Sequence, residues 1–267
     1  MSESRGIRCA IYRGGTSRGV YFLDNDLPYP QAIRTQILLN ILGSPDPRQV
    51  DGLGGGTSST SKTMIIGPSR LQGTEVQMLF GQVSLHSSIV DWRGTCGNLT
   101  TAVGHFAIDQ GLVTAVEPVT EVSIYSVNTR KRIIARVPVS RGRAMTQGDY
   151  KIPGVRGTGA RIDLEYVDPA VGRLLTMQTA HRAYMGAGAI CTGVAALAPG
   201  TIVSDLASVR MRETGLLRIG HPQGVMDVSV KAALQNGDLK VQSATIARTA
   251  RRIMEGYAYV PQNCFVS

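Results

Sequence analysis

Residues 96–113 read CGNLTTAVGHFAIDQGLV, and this stretch decides how the chain folds. Leu99, Ala102, Val103, Phe106, Ala107 and Ile108 leave a helix over 96–113 apolar on nearly every side. A helix without a polar stripe cannot rest on a surface, so this one predicts a buried element with other structure packed around it. Its head holds a candidate for proton chemistry. Cys96 sits directly before the first turn, where a helix N-terminus lowers a thiol pKa and favours negative charge on a ligand. Gly97 allows close backbone approach, and Asn98 can help cap the helix. Two readings of Cys96 stand side by side: a reactive thiol at a helix tip, or a small core residue.

The same rhythm returns at 181–200, HRAYMGAGAICTGVAALAPG, which reads as a second apolar helix rich in small residues. Cys191 falls inside it and reads as core. His181 precedes it, either facing a ligand as the first helix tip would or serving only the local structure. Strand patterns surround both helices. Residues 7–23, IRCAIYRGGTSRGVYFL, give two strands broken at Gly14-Gly15, and 30–43 gives a helix from Pro30 to Gly43. Thr63–Ser69, residues 75–85 and 87–92 read as strands, and 120–139 as a hairpin turning near Asn128. In the second part, 160–167 is a strand, followed after the helix by hairpins turning at His221–Gly224 and Asn236-Gly237. The expected fold class is therefore α+β: two similar units, 1–145 and 146–267, each a curled, mostly antiparallel sheet around one central helix. The repeat is one of architecture, not of residue identity.

Composition narrows the function. Hydrophobic residues are 43% and charged residues 18%, which supports a sizeable core. A net charge of +9 suits an anionic partner, yet the densest basic cluster is only Arg248–Arg252, so nucleic acid is not expected. Aromatic residues are 5%, too few for base-stacking platforms. The four cysteines, Cys9, Cys96, Cys191 and Cys264, form no C-x-x-C pair, and the four histidines form no H-E-x-x-H. No metal site is expected. The first thirty residues lack a signal-peptide core and no 18-residue apolar run appears, so the expectation is a cytoplasmic protein with reduced thiols.

Residues 52–63, GLGGGTSSTSKT, look at first like a phosphate-binding Walker A loop. Such a loop follows a buried strand and opens a helix. Here polar SPDPRQVD precedes it, and TMIIGPS follows, so no helix starts there. What remains is a cushion of glycines, including Gly55 and Gly56, then the hydroxyls Thr57, Ser58 and Ser59, and finally Lys62. Glycines let backbone N–H groups converge on an anion, hydroxyls add short donors, and a desolvated lysine can act as a base. The alternative is a surface loop with a solvated lysine. The turn RGGTSRG, 13–19, offers Thr16 and Ser17 beside two arginines as carboxylate donors, or is simply a hairpin turn. His221 in GHPQG, 220–224, reads first as a structural turn residue. Together the loops, the amine and the thiol suggest an anion-lined pocket suited to proton abstraction beside a carboxylate.

The segments RGGTSRGVYF, DGLGGGTSSTSK, DWRGTCGN with GHFAIDQGLV, HRAY, IGHPQG and RTARRIMEGYAYVP closely resemble the family of 2-methylaconitate cis–trans isomerases and 4-oxalomesaconate tautomerases, in order from about residue 7 to 261. The resemblance implies the diaminopimelate-epimerase-like fold, with the site in a cleft between two units. It implies a cofactor-independent isomerase that shifts a double bond in a small unsaturated di- or tricarboxylate; no nucleic acid or membrane partner is expected, and a homodimer is the expected assembly. Lys62 matches the family's catalytic lysine, and Cys96 the acid/base cysteine of related epimerases. The carboxylates would be held by Thr16, Ser17, Gly55–Ser59 (Gly55, Gly56, Thr57, Ser58, Ser59), Gly97 and Asn98, with His181 and His221 in matching segments. Members of the family are longer. Here DLEYVDPAVGRLLTMQTAHRAY passes from an early strand of the second unit straight to its helix, with the junction near Val171–Leu175. A shortened second unit leaves a different-class alternative: a non-catalytic polycarboxylate-binding protein.

Overall fold

A computed structural model describes residues 3–169, 184–235 and 238–265. The chain opens with β1 (Ser4–Gly14) and β2 (Ser17–Leu23), which pair antiparallel across the Gly14-Gly15 turn. Alternation along β2 sends Val20 and Phe22 to one face and Tyr21 to the other, so both faces of the sheet carry apolar side chains. The helix α1 (Gln31–Leu42) covers the first face. It starts after Pro30 and stops at Gly43, whose left-handed φ of 72° lets its N–H reach the Asn40 carbonyl. β3 (Lys62–Pro68), β4 (Val76–Val83) and the short β5 (Val90–Asp91) follow.

The other face holds α2 (Gly97–Asp109), in which every residue from Gly97 to Ile108 is buried. The apolar run thus produces the buried helix expected of it. It ends earlier than the 113 read from sequence, because Gly111 adopts φ +70° and breaks the ladder. The strands β6 (Val119–Ser126), β7 (Lys131–Ser140), β8 (Arg143–Ala144) and β9 (Ile162–Val167) continue the sheet. The second helix, α3 (Gly186–Leu197), is followed by α4 (Ile202–Leu206) and α5 (Val209–Thr214). Then come β10 (Leu216–His221), β11 (Gly224–Gln235), β12 (Asp238–Arg248) and β13 (Ala250–Pro261).

These strands make one curled sheet in the order β10-β11-β12-β9-β7-β6-β4-β3-β2-β1-β13. Pairings are antiparallel except β2 with β3 and β4 with β6. β9 pairs with β7, and one apolar core runs through from Leu99 and Phe106 on α2 to Ala189, Ile190 and Val194 on α3. The chain's last strand returns to the first half, where Ser4 lies opposite Pro261 and Gly14 opposite Ala250.

Three details differ from the sequence reading. Helix α3 buries only one side: Gly186, Ala189, Ile190, Gly193, Val194 and Ala196. Cys191, expected in the core, is half-buried, because among the described residues α3 packs mainly on β10 to β12 and two short helices, with α2 meeting it only at one end. Residues 201–215, left without structure in the sequence reading, form α4 and α5. Their signals were local: Thr201 accepts from Ser204 N–H, Ser208 accepts from Met211 N–H, and Gly215 closes α5 at φ 68°. The expected turn at Asn236-Gly237 and the junction at Val171–Leu175 lie outside the described residues.

At its C-terminal end α2 is tied to β1. Asp109 Oδ2 accepts from the Tyr12 hydroxyl (2.7 Å), lies 3.2 Å from His105 Nδ1, and is 3.8 Å from Arg252 Nη1. Burial pushes the Asp109 carboxyl up, but the His105 and Tyr12 hydrogen bonds outweigh it and hold it below the ordinary value. A depressed carboxyl contributes stability that is present in full above its unfolded pKa of about 3.9 and is lost as pH falls through the folded value. Asp109→Asn should therefore cost about 1.5–3 kcal/mol at pH 7. It should also flatten the acid limb of stability below about pH 4. Urea unfolding midpoints between pH 2 and 7 check both; an unchanged acid limb refutes the assignment.

Candidate functional site

Lys62 is the first residue of β3, directly opposite Gln82 of β4, and is only 5% exposed. Its Nζ donates to Gln82 Oε1 and lies 5.3 Å from the centre of the Phe80 ring. No carboxylate pairs with it among the described residues. Gln82 is in turn fixed from its other end: Nε2 donates to the carbonyls of Ser61 (2.8 Å) and Ser58 (3.3 Å). The solvated-lysine reading of this segment is excluded. Gln82 escaped the sequence reading because nothing local marks one strand residue as the partner of another twenty positions away.

The glycine-rich loop is shaped by a second residue that sequence did not reveal. Gln49 is 2% exposed, with a left-handed φ of 50°. It donates to Ser61 Oγ (2.6 Å) and accepts the Gly56 N–H (3.0 Å). A Cβ on Gly54 would fall 2.1 Å from Gln49 Oε1, which explains that glycine by close approach. The hydroxyls beyond it bond partly to each other: Thr57 Oγ1 is 2.9 Å from Ser59 Oγ and 2.8 Å from Thr60 Oγ1. Residues Thr57–Ser61 form a helical turn, with Ser61 N–H donating to Thr57 O (2.9 Å). The expected cushion is thus pinned: Gly56 spends its N–H on Gln49, while Gly55 lies exposed beside Arg18. Ser59 O accepts from Arg18 N–H (3.0 Å), which docks the loop on β2.

A second group of candidates meets at the start of α2. Cys96 is its N-cap, with Sγ accepting from Leu99 N–H at 3.5 Å and lying 4.0 Å from Ser17 Oγ. Asn98, expected to help cap, does not. Its side chain faces the β1–β2 turn and the start of β2, where Nδ2 donates to Thr16 Oγ1 (2.9 Å) and Ser17 Oγ (3.5 Å). The thiol has taken the capping role, which frees the amide. The first intrahelical bond is Thr100 N–H to Cys96 O (2.9 Å), so the N–H groups of Gly97 and Asn98 precede the ladder and point out of the helix. Gly19 on β2 links the two groups: a Cβ there would meet Lys62 O at 2.9 Å and Leu99 Cδ1 at 2.7 Å.

The two helices meet at their N-termini. A Cβ on Gly97 would lie 3.4 Å from Ala187 N and 3.1 Å from the Tyr166 hydroxyl. Both positive helix ends therefore face one small region. Tyr166 comes from β9, and burial raises its pKa, so it stays protonated as a donor. Its oxygen has no partner among the described residues. Thr100 Oγ1 is close enough to influence it but spends its hydrogen on Cys96 O (2.9 Å). Arg248, the last residue of β12, reaches Asn98 Oδ1 with Nε at 3.4 Å. Burial lowers the Arg248 pKa from the usual guanidinium value, offset in part by Tyr150 and Tyr166. Sequence reading counted Arg248 only as part of a basic cluster.

His221 is not brought into this group. It ends β10, accepts from Gln223 N–H at 3.3 Å and stacks on Tyr184 with ring centres 6.3 Å apart. His181 lies outside the described residues. Among the described residues no cluster of His, Cys, Asp and Glu has the makings of a metal site, and no helix is long and apolar enough to cross a membrane. A cavity of about 570 Å³ opens beside α3 and α4, lined among others by Leu197, Asp205 and Arg212; none of the candidate residues lines it.

The sequence profile of the family described as PrpF protein matches residues 4–173 and 170–261. The chain is 34% identical to the 3-methylitaconate isomerase of Eubacterium barkeri, with 97% of this chain and 98% of the relative covered. It is 30% identical to the 2-methyl-aconitate isomerase of Shewanella oneidensis, covering 96% and 97%. The 4-oxalomesaconate tautomerase of Pseudomonas putida is 43% identical over 170 residues, 64% of this chain and 47% of the relative. The crystal structure of a methylitaconate-delta-isomerase superposes with a TM-score of 0.77 at 40% identity, covering 99% of this chain and 100% of that one. A probable proline racemase from Agrobacterium radiobacter matches at a TM-score of 0.50 and 13% identity over 97% of this chain and 94% of the other, a likeness of fold alone. The alignment with the E. barkeri relative runs over 382 positions against the 267 residues here, and the two profile matches meet at 170–173. The relative thus carries an internal stretch that this chain lacks.

Proposed function

The chain belongs to the PrpF protein family, and from that premise we propose that it is an isomerase that moves a double bond within a small unsaturated di- or tricarboxylate by proton transfer. The observation that carries this reading is a buried amine, Lys62, held by neutral Gln82 and without a carboxylate partner among the described residues, on a strand whose Lys62 carbonyl and the Leu99 side chain of the first turn of α2 both close on Gly19. In the proposed scheme Lys62 acts as the base and removes a proton from a carbon activated by a neighbouring carboxylate. The electron pair delocalises onto the carboxylate as an enolate-like anion. The N–H groups of Gly97 and Asn98, with the hydroxyls of Thr16 and Ser17, stabilise that charge where it develops. Lys62 returns the proton to the carbon two positions away and the double bond shifts; in the variant where the Cys96 thiol delivers the proton, Lys62 then gives its proton to solvent and the thiolate takes one back, which restores both groups. No step calls for a cofactor. The proposal includes the division into units 1–145 and 146–267, with substrate bound where α2 and α3 meet.

The substrates named for the relatives are methylitaconate, methylaconitate and oxalomesaconate. Proton NMR in heavy water with these three acids tests the reading. At least one should lose its allylic proton signal and gain the shifted double-bond resonance together. Failure of all three to exchange or rearrange sinks it.

A further inference from the structure

Arg248 is 3% exposed, yet no carboxylate pairs with it among the described residues. Its guanidinium carries five N–H groups, and their acceptors are poor matches for a cation. Nη1 donates to the neighbouring Ala247 carbonyl (3.0 Å), Nε makes a long bond to Asn98 Oδ1 (3.4 Å), and Nη2 meets the thioether of Met226. A buried charge paired only with neutral groups is costly to keep. A second observation points the same way. The Tyr166 hydroxyl, one strand over, is buried and protonated, makes no hydrogen bond of good geometry among the described residues, and has only the Thr100 hydroxyl close to it. It approaches the same glycine, Gly97, that opens α2. Asn98 stands between the two halves of this surface: its Nδ2 faces the Thr16 and Ser17 hydroxyls, and its Oδ1 faces Arg248. Among the described residues nothing negative answers Arg248 on this side.

We propose that Arg248 and Tyr166 form a carboxylate subsite, contributed by the shortened half of the chain, that binds a carboxylate of the substrate remote from the carbon losing its proton. The subsite selects acids with two or more carboxylates over monocarboxylates. It deepens the isomerase reading and rests on it for the class of ligand. It also gives β9 and β12 a part in recognition, although the second half lacks residues that its relatives carry.

The test uses the full chain and a saturated acid that cannot isomerise. Calorimetric titration with propane-1,2,3-tricarboxylate and, separately, with butanoate measures binding without turnover. The wild-type chain should prefer the tricarboxylate. Arg248→Met should weaken tricarboxylate binding by at least about thirtyfold, since it removes one partner of a buried charge pair. Tyr166→Phe, which leaves packing intact, should weaken it about tenfold. Butanoate binding should change little in both. Wild-type affinity in both variants overturns the subsite. Equal loss for both acids also overturns it, because that pattern marks Arg248 as a support for Asn98. Absence of tricarboxylate binding in the wild-type chain overturns it as well. A wild-type chain that binds the tricarboxylate with this dependence, yet isomerises none of the unsaturated acids, upholds the subsite and removes the isomerase reading.

Discussion

Lys62→Met is expected to lower kcat by about 10²–10⁴, the range associated with one positioned acid/base group. It is expected to abolish solvent-deuterium exchange into substrate while leaving the fold intact. The reasoning is structural. The Lys62 stem is buried, and its Nζ lies over the Phe80 ring and bonds to Gln82. Methionine is unbranched and of similar length, so it fills the same volume and keeps the contact with the ring. What it removes is the proton carrier. No carboxylate is orphaned, because Lys62 has none among the described residues, and Gln82 keeps its bonds to Ser58 and Ser61. Steady-state kinetics, exchange by proton NMR and a thermal melt together check the result. A variant that melts like wild type and turns over like wild type takes the lysine out of the mechanism.

Gly14→Ala is expected to lower kcat/KM about 10²-fold, although Gly14 bears no chemistry of its own. An added Cβ would lie 2.3 Å from the Asn98 carbonyl oxygen and 3.1 Å from Leu99 Cα. Both obstacles are backbone, so no side chain can rotate away. Restoring ordinary contact requires the first turn of α2 to retreat from β1 by about 1 Å. That displacement carries Cys96, Gly97 and Asn98 with it, and misplacement of this size is enough to cost about two orders of magnitude. Gly111→Ala is the matched control. Its φ of +70° makes the substitution strained, but nothing stands within 4 Å of the new Cβ. It should cost about 1–2 kcal/mol of stability with kcat unchanged. If Gly14→Ala keeps full activity, the start of α2 is not part of the reacting site.

Several site residues were legible before the fold was known because their signals are local. Lys62 stood at the end of a glycine and hydroxyl run, Cys96 at the head of an apolar helix, and Thr16-Ser17 in a glycine turn. The residues that orient them were not legible. Gln49 and Gln82 look like ordinary polar side chains in a loop and a strand. Tyr166 and Arg248 look like a strand aromatic and the edge of a basic cluster. Each acquires its place from a neighbour far away in sequence: Gln82 from Lys62, Arg248 from Asn98, Tyr166 from Gly97. The glycines at 14 and 15 were read as a turn, and they are one, but what forbids a side chain at Gly14 is a helix more than eighty residues away.

The amino-acid order alone determined where α1, α2, α3 and most strands lie, that residues 97–108 would be enclosed, and which donors and proton carriers the chain possesses. Periodicity, caps and breakers act over a few residues, so a local reading captures them. The tertiary structure decided the rest: that β13 returns to pair with β1, that the tips of α2 and α3 abut at Gly97 and Gly186-Ala187, and that Asn98 turns from capping to join Thr16 with Arg248. Those outcomes follow from which surfaces fit together across the core. Close packing between distant segments is a property of shapes in space, and no window of neighbouring residues contains it.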